Sequence, residues 1–229
     1  MNRIDYDGVE FSDDVDFVDL ARKALLWKLG GSLPSDLDAL DWVERVYQAL
    51  EGSPYHDRLA RAISVCLTDD DPVVRREALM FFEQFPQAAG GERILDLASD
   101  DRSRLFGDDQ LHFHLLRAVA ERINMGDSRA IDIAKKEALS PGQPQHLIAS
   151  LTWADPSFVI DHAEEIVRAR PETGIIILYN LEQQHLEIAD LGVRIAPHMA
   201  RDPGFPSEFE RLIDDAEAKR RVLNAIASP

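Results

Sequence analysis

The sequence has one cysteine, Cys66, and very few lysines. It also has no apolar run long enough to cross a bilayer. A single thiol cannot form an internal disulfide, nor can it complete a Cys₂ or Cys₄ zinc site. Cys66 sits in the stretch Ala62-Ile63-Ser64-Val65-Cys66-Leu67, without a glycine-rich or histidine-bearing signature beside it, and reads as a buried core thiol. The longest strongly apolar runs are Ala78 to Phe82 and Ile175 to Tyr179, far below the roughly 20 residues of a spanning helix. The opening Met1 to Glu10 is too acidic and polar for a secretory leader, so a cytoplasmic protein is expected. Basic charge is also short. Lys+Arg number 25 against 42 Asp+Glu, a net charge of -17 over 229 residues. A duplex backbone rewards clustered cations, so this balance opposes nucleic acid as the partner. Acidic charge instead favours encounter with basic proteins. Arginine supplies 20 of the 25 cations, a usage expected of a GC-rich bacterial genome.

What is present is helical patterning. Residues 1–12 form the exception, expected as a short extended arm or hairpin, with Ile4 and Tyr6 alternating with Asp5 and Asp7 before the turn pair Asp7-Gly8. From Asp13 to the end, apolar residues recur at threes and fours, as in Phe17, Leu20, Ala21, Ala24 and Leu25. Gly52-Ser53-Pro54 and Gly90-Gly91 punctuate the pattern. Asp71-Pro72 and Asp155-Pro156 each place a capping carboxylate before a proline at the first helical position, where the missing N–H costs nothing. Ile175-Ile176-Ile177 is read as a buried helix rather than a strand, and Pro197 is expected to end or kink its helix. With no long linker in between, 13–229 is expected to be one all-α unit.

The stretch Leu67-Thr68-Asp69-Asp70-Asp71-Pro72-Val73-Val74-Arg75 runs from an apolar helix end through an acidic Asp-Pro turn into Val-Arg. It resembles the turn inside a HEAT repeat, where such an Asp caps the second helix and the Arg packs along the stack. Leu151-Thr152-Trp153-Ala154-Asp155-Pro156 returns to the same frame after two periods of about 42 residues, although it lacks the Arg. Leu97 to Asp101 is a weaker echo. The resemblance implies a degenerate, right-handed α-α superhelix of about five to six antiparallel helix pairs. Such pairs cannot bury their apolar faces alone and therefore stack, leaving an extended binding surface.

No hydrolase elbow, Walker loop, dinucleotide fingerprint, zincin helix or EF-hand loop occurs in the sequence, and no catalytic, metal or cofactor residue is assigned. His112 and His114 would point to different sides of one helix, His112 along the Leu116/Val119 stripe and His114 beside Arg117 and Glu121. His162 reads as a hydrogen-bonded core histidine, and Glu182-x-x-His185 lacks the second unit that a di-iron bundle needs. A DNA glycosylase on HEAT-like repeats could be imagined around Trp153 and Asp155 with Arg58, Arg61, Arg75 and Arg76, but the net charge opposes it.

The acidic turns would first serve as helix caps. Their remaining carboxylates, together with aromatic anchors, form the candidate partner surface: Asp13, Asp14, Asp16, Tyr55, Asp69, Asp70, Asp100, Asp101, Phe106, Asp108, Asp109 and Trp153. The function expected from this pattern is a non-catalytic protein-binding module. Its most specific form is a bacterial immunity or antitoxin protein that inhibits a basic toxin enzyme. The alternatives are a HEAT-like scaffold or adaptor, and an enzyme of unrecognised type.

Overall fold

The computed structural model describes residues 3–29, 38–100, 109–140, 145–199 and 204–227. Among them are thirteen helices and a two-stranded hairpin, so the chain is all-α with a short N-terminal strand arm. The strands β1 (Ile4–Tyr6) and β2 (Val9–Phe11) pair antiparallel, with Tyr6 opposite Val9. The two-residue turn between them puts both Asp7 (φ 50) and Gly8 (φ 79) in the left-handed region, which Asp tolerates and Gly prefers. Phe11 at the end of the arm is fully buried and leans on Phe17, while Tyr6 meets Trp42 edge-on. These rings pin the hairpin to the helices, and burying one ring contributes about 1.5–3 kcal/mol.

The chain divides into two compact units, 1–118 and 119–229. The first holds α1 (Phe17–Leu25), α2 (Ala39–Ala49), α3 (His56–Cys66), α4 (Pro72–Gln84) and α5 (Arg93–Ser99), and α6 (Asp109–Asn124) runs across the division. Here α1 packs on α3 and α2 on α4, while α1 also touches α2 and α3 touches α4. Helix α1 also meets α4 and α2 meets α3, so α1 to α4 form two helix pairs packed on each other. Tyr47, Phe81, Phe82 and Phe85 interlock as an aromatic core between α2 and α4.

The second unit repeats this arrangement with α7 (Ser128–Ala138), α8 (Gln145–Ala154), α9 (Pro156–Ala169), α10 (Thr173–Gln183), α11 (Ala189–Met199), α12 (Phe205–Leu212) and α13 (Ala216–Ala227). One layer runs α8–α10–α12 and the other α9–α11–α13, with contacts α8·α9, α10·α11 and α12·α13 between them. Ile175-Ile176-Ile177 is helical, within α10. Pro197 lies inside α11, two residues before Met199, so the helix continues through it. No helix among the described residues is long and apolar enough to cross a membrane.

Candidate functional site

Aspartate side chains cap the starts of α1, α2, α4, α7, α9 and α13, which commits part of the acidic residues to the fold. Asp16 accepts from the amides of Val18 and Asp19, Asp71 from Val73, and Asp155 from Phe158. Each satisfies orphan N–H groups at a helix start, and a lost cap of this kind costs about 1 kcal/mol. Asp69 instead organises the turn between α3 and α4. Its carboxylate accepts from the Asp71 amide at 2.9 Å and from Arg22 Nε at 2.8 Å. Arg75 donates to the Asp69 carbonyl at 2.6 Å and to the Asp70 carbonyl at 3.1 Å. Burial pushes the Asp69 carboxyl up, but the Asp71 amide and the Arg22 guanidinium outweigh it and hold the group below the usual carboxylate range. In the second unit Lys135 stands 2.7 Å from Asp155 and 5.6 Å above the Phe158 ring. That contact, with the Phe158 amide, holds the Asp155 carboxyl low. Both Asp-Pro turns are thus fastened by a cation from an earlier helix.

The seam where α1 packs on α3 is the most developed surface feature among the expected residues. At one end Arg58 donates to Asp13 at 3.0 Å and lies 4.4 Å over the Phe17 ring. At the other end stands the Arg22–Asp69 pair. Between them Val15, Phe17, Val18, Arg61, Ala62 and Val65 line an open groove of about 360 Å³. Arg58, Arg61, Ala62 and Val65 follow the i, i+3, i+4, i+7 spacing and so share one face of α3. Val18 and Val65 stand 40% and 42% exposed in this groove. Exposed Asp13, Asp14, Asp16 and Asp19 rim the start of α1.

The structure brings Asp13, Asp14 and Asp16 together here and corrects one expected anchor. Tyr55 is 0% exposed. It stacks on Phe17 with ring centroids 5.9 Å apart, supporting the groove floor from beneath instead of facing a partner. Asp70 and Asp100 are exposed at turns, and the Asp100 amide closes the end of α5. Asp109 is the first residue of α6, while Asp101, Phe106 and Asp108 lie outside the described residues. Trp153 is 53% exposed in the second unit, and its indole N–H donates to Asn180 Oδ1 at 3.2 Å.

Sequence reasoning missed Val18 and Val65. Their signal was an apolar residue off the buried stripe: Val18 beside Phe17, and Val65 between Ile63 and Cys66. It also missed Glu83, whose side chain is 9% exposed and receives His114 Nδ1 at 2.6 Å and Arg117 Nε at 3.0 Å. His114 and Glu83 come from α6 and α4, so no local spacing could connect them. His112 Nδ1 is buried without a hydrogen-bond partner, beside a cavity of about 10 Å³, room for about one water. His162 is half-buried, bonded to the Phe158 carbonyl at 2.9 Å and stacked on that ring. His185 follows the end of α10 at φ 58, so Glu182 and His185 do not share a helical face. Among the described residues no three His, Cys, Asp or Glu side chains are grouped to hold a metal ion. No protein-family model matches the sequence, and no curated protein matches it.

Proposed function

We propose that this chain is a protein-binding module of HEAT-like helix pairs, and most specifically a bacterial immunity or antitoxin protein acting in the cytoplasm on a basic toxin enzyme. The observation that carries this reading is the α1/α3 seam, where an open groove floored by valines, Phe17 and Ala62 and edged by Arg58 and Arg61 lies directly beside a cluster of aspartates. A partner side chain entering between Val18 and Val65 removes apolar surface from water. Lysines or arginines around that side chain meet exposed Asp14, and the charge of -17 steers a basic protein toward contact. The Asp-Pro turn closed by Arg75 and the next-but-one packing of the helices support the HEAT-like part. The module works by occupying a surface, without a cofactor and without catalysis of its own.

The test is titration of the protein against basic toxin domains, reading both heat of binding and toxin activity. Stoichiometric nanomolar binding with loss of toxin activity, weakened about tenfold or more by Val65→Asp, is the supporting result. Micromolar or weaker binding with full toxin activity sinks the immunity reading. The scaffold reading is favoured by a separate exposed feature, Trp153 and Tyr179 in the second unit, since two surfaces can join two proteins.

A further inference from the structure

Within the first unit, one buried acceptor lies beside a small cavity. His112 Nδ1, on α6, is cut off from solvent and meets no hydrogen-bond partner among the described residues. A buried ring nitrogen left without a partner costs folding stability, and native structures satisfy nearly all such atoms with a protein group or an ordered water. His112 lines a cavity of about 10 Å³ whose wall is otherwise mostly leucine, from the end of α3 and from α4, α5 and α6. Leu79 and Leu115 are among them, and a leucine side chain offers no polar atom to the nitrogen.

Arg75 of α4 is the other polar side chain on that wall among the described residues. Its Nη1 donates to the carbonyls of Asp69 and Asp70 at 2.6 and 3.1 Å, and its Nε is cut off from solvent like the His112 nitrogen. A guanidinium can only donate, while an imidazole nitrogen without its proton can only accept. Arg75 therefore brings donors, and His112 an acceptor, to one small space. The two side chains do not bond directly through Nδ1.

The size of the space selects the occupant. One water needs about 10–15 Å³, so a chloride ion or any organic group is too large. A metal cation would sit beside the Arg75 charge with no carboxylate on the described wall to offset it. Water fits the chemistry as well, since its oxygen accepts from a guanidinium while its hydrogens donate. We infer that one internal water occupies this cavity, accepting from Arg75 and donating to His112 Nδ1. The bridge lengthens the tether of the Asp-Pro turn, running from the Asp69 and Asp70 carbonyls through Arg75 and the water to α6. It also fixes the imidazole proton on Nε2, because Nδ1 accepts. This site is internal to the first unit and separate from the α1/α3 seam, so it stands whether or not the immunity reading does.

Two readouts on the full chain test this. The first is a crystal structure at about 1.5 Å resolution, where ordered waters are seen but imidazole hydrogens are not. The second is a long-range proton–nitrogen NMR spectrum of the histidine rings at about pH 8, where an ordinary imidazole is neutral. The expected map shows one water about 2.7–3.2 Å from both His112 Nδ1 and an Arg75 nitrogen. The expected spectrum shows His112 protonated on Nε2. His112→Phe keeps a flat ring but has no acceptor, and its crystal structure should lose that water. If the variant does not fold, the wild-type map and spectrum decide on their own. A dry cavity in the wild-type map overturns the inference, and so does a His112 ring that carries its proton on Nδ1. A water that stays in place in folded His112→Phe overturns it too, since the bridge to His112 would then hold nothing.

Discussion

Arg22 of α1 and Asp69 of the α3–α4 turn, 47 residues apart in sequence, meet at 2.8 Å and close one end of the α1/α3 seam. The pair links two helices and a turn through one carboxylate that also receives a backbone amide. Its energetic weight is modest because Arg22 is 47% exposed and solvent screens it.

Asp69 supplies a pH signature. Its folded carboxyl lies below the ordinary value, so its stabilisation is complete above the unfolded pKa, about 3.9, and is lost as pH falls through the folded value. Asp127 and Asp155 shift in the same direction. Asp69→Asn should cost about 1 kcal/mol at neutral pH, or about 2–4 °C in Tm. In melts between about pH 2 and 7, the gap between variant and wild type should close toward the acid end. A gap independent of pH would show that the Asp69 charge contributes nothing.

Cys66 is the corresponding alkaline probe. It is 2% exposed, and burial first, then the Asp69 carboxylate, push its thiol up to about 11 against the pull of Arg22. A raised value means that the stabilisation is complete below the unfolded thiol pKa, about 8.5, and is lost as pH rises through the folded one. At about pH 8 a thiol reagent should therefore label the native chain only at the rate of opening, and the denatured chain at once. Rapid labelling of the native chain would contradict the burial of α3.

Gly192 in α11 is held by a close approach, since a Cβ there would run into the ring of Phe209 from α12. Alanine is favoured over glycine in a helix by about 1 kcal/mol, but overpacking a core costs about 1–3 kcal/mol. Gly192→Ala should consequently lower stability, read from denaturant melts. A more stable variant would mean that Phe209 moves aside freely.

The local parts of this architecture were legible in the sequence because their causes are local. The Asp7-Gly8 turn, the Asp71-Pro72 and Asp155-Pro156 caps and the three-four periodicity each rest on residues within one turn of one another. Tyr55 misled for the same reason. Its neighbours Pro54 and His56 suggest a loop surface, and only the arrival of Phe17 from α1 buries it. The groove needed Val18 and Val65 to be set side by side by packing between α1 and α3. The Glu83 ion cluster likewise joins residues 31 positions apart. The acidic residues were recognised as candidates, but which of them hold the fold and which face water depends on where Arg22, Arg58 and Lys135 reach.

The placement of the three tryptophans gives the chain two optical reporters. Trp27 and Trp42 belong to the first unit, Trp42 being 1% exposed, whereas the second unit has Trp153 alone, half in water. A sheltered indole emits at shorter wavelength than one in contact with solvent, so the blue edge of the intrinsic emission follows Trp42 in residues 1–118, while half-buried Trp27 shares the red edge with Trp153. With Trp153→Phe as the reference, a single unlabelled sample reports how each unit melts, and whether the two transitions coincide.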